Sequence, residues 1–191
     1  MAVVGRTCAF APVRRKAKSL AIHRIPEVIM DFFDKSDIQG SLRRIEELLD
    51  CGIFDPKNSS HVLMRAAFIE LLISLRDLMY KAEKYSSRIA FKDDVPVGGR
   101  INDVSDLIKY VRDALCHPDS DNHYIEKGNM KATFNVAFGR AKLLKIGDFE
   151  QESLYDDDIC FFFGSKGIYL RRHIIRAFEE AKGKLEPIVN C

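Results

Sequence analysis

The stretch that most limits the fold of this 191-residue chain is residues 59–91, which read SSHVLMRAAFIELLISLRDLMYKAEKYSSRIAF. The pattern predicts one long helix over about 60 to 88, with Ser59 or Ser60 as its cap. Its apolar residues fall on two opposite sides. One side carries Met64, Phe68, Leu71, Leu75 and Leu78, and the other carries Val62, Ala66, Ile69 and Ile73. A helix that is apolar on both sides must be covered on both. We therefore expect the core on one side and a further element or a second subunit on the other.

Shorter helical patterns flank this segment. The sequence PEVIMDFFD predicts a helix that begins at Pro26, and SDIQGSLRRIEELLDCG predicts a second one that starts at an Asp or Ser cap and stops at Gly52. After the long helix, Asp103 or Ser105 caps the segment VSDLIKYVRDALCH. Its single apolar stripe comprises Val104, Leu107, Ile108, Val111 and Leu115. The first two thirds of the chain are thus predicted to be helical.

Beyond Pro118 the hydrophobic period changes from helical to alternating, with glycines between the segments. We expect an antiparallel meander of three to five strands over about 132–170, with five mostly buried side chains: Phe134, Val136, Phe138, Phe161 and Phe163. A last helix, LRRHIIRAFEEAKGKLE, is predicted to reach no further than Glu186, because Pro187 follows. The predicted class is α+β, a mainly α-helical bundle with an antiparallel β-meander inserted before the last helix.

Charge and cysteine usage narrow the functional classes. The net charge is +2, yet the first 25 residues carry six basic residues and no acid. We interpret 1–25 as a basic arm or first helix and 26–191 as one domain. The arm would be a solvated N-terminus, a phosphate contact or a transit segment. No run approaches the ~20 apolar residues of a membrane span. The five cysteines are scattered and form no CxxC pair, which favours a reducing, cytoplasmic compartment.

Residues 110–119, YVRDALCHPD, contain the two strongest candidates for functional residues, an arginine and a histidine near the end of a helix. On an ideal helix Arg112 lies about 90° from the centre of the apolar stripe, so it flanks the packed face. Residue His117 precedes Pro118, which pushes it out of the helical region and lets its side chain swing. Imidazole exchanges protons near neutral pH, and guanidinium holds phosphate in a fork. With no metal ligands nearby, this pair suits cleavage of an RNA phosphodiester, in which the 2′-hydroxyl is the nucleophile.

The segment from Arg112 to His117 resembles the signature of HEPN domains, in which arginine is followed by four to six residues and then histidine, with a polar residue commonly next to the arginine. Asp113 fills that polar position. The resemblance covers residues 104–118 well and the other helices only in general pattern, and the strands would be an insertion. It implies a HEPN-like bundle that forms a homodimer, with both arginines and both histidines meeting in a cleft between subunits.

The resemblance further implies a metal-independent endoribonuclease of a toxin, defence or RNA-processing system, with Arg112, His117 and Asp113 as catalytic residues, RNA as substrate, and an antitoxin or regulatory protein as a possible partner. Cofactors and metals are not implied. Members that are modified by a nucleotidyltransferase carry a tyrosine two residues after the histidine, and this chain has Asp119 there. That form of regulation is therefore not expected.

Two alternatives stay open. In the first, the motif has only a structural role: Arg112 pairs with an acid such as Asp106 or Glu70, and His117 caps the helix, where the dipole favours its charge. The protein would then be a non-catalytic RNA-binding or protein-interaction module of the same fold. Five further residues are candidate RNA contacts, either at the start of the last helix or in the loop after the motif: Arg171, Arg172, His173, His123 and Tyr124. A solvated surface is the favoured interpretation of the first three, whereas the two loop residues either line the same cleft or belong only to the loop.

Overall fold

The computed structural model describes residues 30–125 and 130–190, so the basic arm 1–25 lies outside the described part. The elements are α1 (Phe32–Asp50), α2 (Met64–Tyr85), α3 (Val104–Cys116), β1 (Asn135–Phe138), β2 (Ala141–Ile146), β3 (Phe149–Ser153), β4 (Ile159–Phe163), β5 (Lys166–Tyr169) and α4 (Arg176–Val189). Short 3-10 turns span Pro56–Asn58 and Asp121–His123, and a π-helical turn, Leu170–Ile175, runs directly into α4. Helices therefore come first, antiparallel strands next and a helix of 20 residues last, which confirms the predicted α+β class.

From residue 30 onward, one helix covers the segment that the sequence predicts as the end of one helix and the whole of another, and the predicted start at Pro26 lies outside the described residues. The side chain of Asp31 caps α1 by accepting a hydrogen bond from the Asp34 N–H at 2.8 Å, and the helix continues through Ser36 without a break. The predicted boundary near Ser36 is wrong. An interior serine costs a helix only a few tenths of a kcal/mol. The continuous helix also places Asp34, before Ser36, where it accepts a hydrogen bond from Lys84 of α2 at 2.8 Å.

The central element is α2, which packs against α1, α3 and α4. Its predicted core side is buried, since Phe68 and Leu71 have no exposed surface. On the opposite side Val62 is 87% and Ile73 is 39% exposed. The neighbouring helices and the sheet thus cover most of the apolar circumference of α2, including Ile69 of the second side. Ala66 and Ile73 of that side stay exposed. Neither predicted cap, at Ser59 or Ser60, is used. The helix begins at Met64 with no side-chain cap, because the chain first turns through 59–63.

The strands form two separate sheets. A three-stranded antiparallel sheet has the order β1-β4-β5, and β2 and β3 form a hairpin outside it. The predicted meander is therefore wrong in order, although the strands are antiparallel. The aromatic ring of Phe161 stacks on Phe68 of α2 with ring centroids 3.9 Å apart, and this contact joins sheet to helix. Of the expected buried side chains, Phe161 and Phe163 are at most 1% exposed. Phe134, directly before β1, and Val136 and Phe138 on β1 are half-buried.

The last helix passes its proline. Pro187 lies inside α4, which ends at Val189 instead of the predicted Glu186. Proline removes one helical hydrogen bond. The last turn is nevertheless kept, because Val189 is buried against the core and the Asn190 N–H still donates to the Glu186 carbonyl at 3.1 Å.

Candidate active site at the end of α3

The start of α3 is fixed by an ionic clamp. Asp103 caps the helix as predicted, accepting the Asp106 N–H at 3.0 Å. Arg88 grips Asp103 with two nitrogens at 2.9 Å each and donates to Asp106 at 2.7 Å. Partial burial raises the pKa of Asp106, but hydrogen bonds from Asn102 and Arg88 outweigh it and hold that pKa below its ordinary value. The helix that carries the motif is therefore rigidly seated at its first turn.

The other end of α3 stops as Pro118 dictates. His117 is the C-terminal cap, with an extended backbone (φ −121°, ψ 98°), and its N–H donates to the Asp113 carbonyl at 3.1 Å. Its carbonyl accepts the Ser120 N–H at 2.9 Å. The backbone of His117 is thus held on both sides while its side chain is exposed. This confirms the predicted departure of His117 from the helical path.

Arg112 pairs with its own neighbour. Its Nη1 lies 3.0 Å from Asp113 Oδ1, and the two side chains are 36% and 33% exposed. Its Nε is buried and has no hydrogen-bond partner among the described residues. Neither acid of the alternative interpretation pairs with it, since Asp106 belongs to the clamp and Glu70 pairs with Arg44 at 3.3 Å. Because the i,i+1 pair is half-exposed and weak, most donors of Arg112 remain available to a ligand. We call Arg112, Asp113 and His117 the motif end.

The loop after His117 is tied back to α3. The Tyr110 hydroxyl donates to the Asn122 carbonyl at 3.2 Å, and the Asn122 amide donates to the Tyr110 carbonyl at 3.1 Å. His123 Nε2 lies 3.3 Å from the His117 carbonyl oxygen. The His123 side chain is 5% exposed, and its Nδ1 has no partner in the described chain. His123 therefore faces the backbone of the motif end, and its role as an RNA contact stays a prediction.

A turn of the sheet supports this loop from below. Gly164, between β4 and β5, has φ +54°, and an added Cβ there would lie 2.5 Å from the Asn122 carbonyl oxygen and 2.9 Å from that of Tyr124. The Gln151 side chain donates to the Gly164 carbonyl at 3.0 Å and is itself 2% exposed. The strands thus position the segment that follows the motif. Tyr124 is half-buried, with Lys131 Nζ 5.1 Å from its ring centroid.

The basic residues before α4 have a different environment. Asp158 accepts the backbone N–H groups of Arg171 and Arg172 at 2.8 and 3.1 Å, and Arg172 Nη1 lies 3.0 Å from the same carboxylate. Arg172 Nη2 donates to Asp157 at 2.9 Å. His173 has no exposed surface, and burial lowers its pKa below the ordinary value of 6.5. We call Asp158, Arg172 and His173 the capping cluster.

Cations are disfavoured at the N-terminus of a helix, and Asp158 supplies the anion that offsets this unfavourable charge. The side chain of Asp158 has no exposed surface, and Arg172 is 26% exposed. Of the three basic residues before α4, only Arg171 is exposed. Contact of Arg171, Arg172 and His173 with RNA remains a prediction.

A cleft of about 150 Å³ lies beside the motif end. Its lining residues are Asp113, Arg100, Asp106, Lys109, Tyr110 and Asn122, and the sequence had not predicted that they form a site. A signal existed for part of this set, because residues 106, 109 and 113 recur at helical spacing and so share one face. The contributions from the loops before and after α3 had no local signal and depend on the fold.

A larger cavity, about 440 Å³, lies elsewhere, between the C-terminal end of α1 and the start of the π-helical turn. Its floor is apolar, with Phe54 and Phe138, and its rim carries Asp156, Asp157 and Arg171. In residues 30–125 and 130–190, no group of three or more His, Cys, Asp or Glu side chains could hold a metal ion. The cavity shares no lining residue with the motif end.

No family model, curated protein or solved structure matches this chain. Within the described ranges, no helix combines the length and the apolar character that crossing a membrane requires. The resemblance to HEPN domains therefore stands on the motif residues alone.

Proposed function

We propose that the protein is a metal-independent endoribonuclease of HEPN type that acts at the motif end. The observation that supports it best is the contrast within α3. Its first turn is locked by Arg88, whereas its last turn presents an exposed imidazole and an arginine paired only with its neighbour. Transesterification of RNA requires at least a cation that stabilises the phosphate and a group that transfers a proton, and this end of α3 has one of each.

In the proposed reaction the ribose 2′-oxygen attacks phosphorus and the bond from phosphorus to the 5′-oxygen breaks. Imidazole of His117 accepts the proton of the 2′-hydroxyl or donates a proton to the leaving 5′-oxygen. The guanidinium of Arg112 stabilises the charge on the non-bridging oxygens. Asp113, 3.0 Å from Arg112, orients it. The products are a 2′,3′-cyclic phosphate and a 5′-hydroxyl.

One chain supplies one imidazole, whereas the reaction uses a base and an acid. We propose a two-fold homodimer in which the partner's motif end supplies the second group, with RNA in the cleft between copies. The uncovered side of α2, at Ala66 and Ile73, and the exposed Val62 in the turn before it support a second contact surface. We also propose that the protein works in the reducing cytoplasm and that a regulatory protein binds it.

The test is incubation of purified protein with mixed RNA in excess EDTA. We expect cleavage, cyclic-phosphate ends and intact DNA, because DNA lacks the attacking hydroxyl. His117→Ala should lose about 10²- to 10⁴-fold in rate with an unchanged fold. His61→Ala is the matched control, because His61 is also exposed and lies before α2. Full activity of His117→Ala would refute the site.

A second candidate function is a non-catalytic interaction module. An exposed apolar patch suits protein contact. It is formed by the adjacent residues Val62 and Leu63, which are 87% and 57% exposed. If no RNA is cut under any condition while RNA or a partner protein still binds, this interpretation replaces the enzyme.

A further inference from the structure

The cleft beside the motif end, lined by Arg100, Asp106, Lys109, Tyr110, Asp113 and Asn122, has an uneven distribution of charge. Its two carboxylates are already paired with arginines that do not line it, Asp106 with Arg88 at 2.7 Å and Asp113 with Arg112 at 3.0 Å. Its two cations, Arg100 and Lys109, are exposed and have no carboxylate within 4.0 Å among the described residues. The cleft therefore attracts an anion.

The cleft and the motif end are continuous. Lys109 and Asp113 are one helical turn apart on the same face of α3, and Asp113 belongs to both sites. At about 1.5 Å per residue, Lys109 lies ~12 Å before His117 along the helix axis. A strand whose scissile phosphate lies at Arg112 therefore carries its neighbouring nucleotide past the cleft.

The walls of the cleft suit an unpaired base. Its volume of about 150 Å³ is below the roughly 300–1,000 Å³ of sites for drug-sized ligands, so it accommodates one small ring system. Tyr110 gives an aromatic wall, and Asn122 and Asp113 give polar edges. A duplex stacks and pairs its bases, so only a single strand can place one there.

We propose that this cleft is a subsite for single-stranded RNA, holding the base next to the scissile phosphate while Arg100 and Lys109 bind the flanking phosphates. The subsite rests on the proposed function, since it adds binding residues to the same reaction. It makes the enzyme selective for unpaired RNA. It also supplies binding energy away from the reacting bond, which raises the rate for longer substrates.

The binding test uses a fluorescein-labelled octaribonucleotide of mixed sequence with every ribose 2′-O-methylated, so that it cannot be cut. Anisotropy is measured over a series of salt concentrations for the wild type and for Arg100→Ala/Lys109→Ala. We expect weaker binding by the double variant and a salt slope smaller in magnitude by about 1.4, since each phosphate contact contributes ~0.7 for single strands. Arg43→Ala/Lys145→Ala removes the same charge from exposed sites on α1 and β2 and should change neither quantity.

A cleavage test separates this inference from the proposed function. The wild type should cut an unmodified octamer more efficiently than a dinucleotide, and Arg100→Ala/Lys109→Ala should lose most of that advantage while cutting the dinucleotide normally. If the double variant binds and cuts like the wild type, the subsite is overturned and the ribonuclease stands. If the wild type prefers duplex RNA, the subsite is likewise overturned. If the wild type neither binds nor cuts RNA, both proposals are overturned together.

Discussion

The motif end and the capping cluster both combine arginine, aspartate and histidine at a helix terminus, yet they differ in burial. In the capping cluster Asp158 has no exposed surface and accepts three backbone N–H groups in addition to Arg172. The ring of Tyr155 covers the guanidinium of Arg172 at 3.6 Å. In the motif end the only ion pair is half-exposed, and the imidazole is exposed.

The difference separates stability from binding. Charges that are buried and fully paired have no donors left for a ligand, and removing one partner strands the other in a low-dielectric environment. Charges that are exposed and weakly paired contribute little to the fold and remain available to an anion. Residue type alone therefore does not identify a site, and the partners of each charge decide between the two roles.

The largest expected effect is on the capping cluster. Asp158→Ala leaves Arg172 and three backbone N–H groups without their acceptor, so we expect the free energy of unfolding to fall by about 3–5 kcal/mol. Urea denaturation measures it. Asp156→Ala is the control, because that carboxylate is 79% exposed and only faces Arg140 at 3.5 Å. If both variants lower the free energy of unfolding equally, burial does not distinguish the two carboxylates and the comparison fails.

A second, smaller effect concerns the support beneath the motif end. Gly164→Ala places a methyl group against the carbonyls of Asn122 and Tyr124 at φ +54°. We expect a loss of about 2–3 kcal/mol, of which ~1–2 is the left-handed backbone, and reduced RNA cleavage as the loop shifts. Gly147→Ala is a matched control, since it has φ +58° but nothing within 4 Å. If both glycines cost the same, the turn does not hold the loop.

A pH-dependent effect separates the two histidine environments. Burial lowers the pKa of His173 below 6.5, so on acidification the unfolded chain takes up this proton before the folded one. The free energy of unfolding should therefore fall as the pH drops below about 6.5, and this contribution levels off below the folded pKa. Subtracting the stability of His173→Asn across the same pH series isolates it. If the free energies of unfolding of the wild type and His173→Asn change in parallel with pH, the pKa of His173 is not lowered in the folded protein.

The smallest expected effect on stability lies at the motif end itself. Asp113→Ala removes a half-exposed ion pair, so the free energy of unfolding should change by less than ~1 kcal/mol. Cleavage of RNA should fall nonetheless, because Arg112 loses the group that orients it. Exposed Asp121 provides the control, as Asp121→Ala should alter neither quantity. A loss of several kcal/mol at Asp113 would make the two clusters alike.

Local rules located most elements. The apolar stripe and the Asp103 cap defined α3, and the change of hydrophobic period after Pro118 located the strands. Each of these signals acts within a few residues, so the sequence carries it directly. Where two local signals competed, packing decided. Ser36 looked like a cap and Pro187 like a stop, yet both lie inside helices. Asp34, before Ser36, bonds to Lys84 of α2, and Val189, beyond Pro187, is buried.

By itself, the sequence determined that His117 leaves the helix, because proline sterics require no distant partner. Only the tertiary structure decided what surrounds it. Asp158 meets the N-terminus of the last helix from 13 residues away, and Gly164 meets the loop at Asn122. The strand order β1-β4-β5 brings these segments together. Such contacts join residues far apart in the chain, so they follow from the way buried surfaces fit and not from any local pattern.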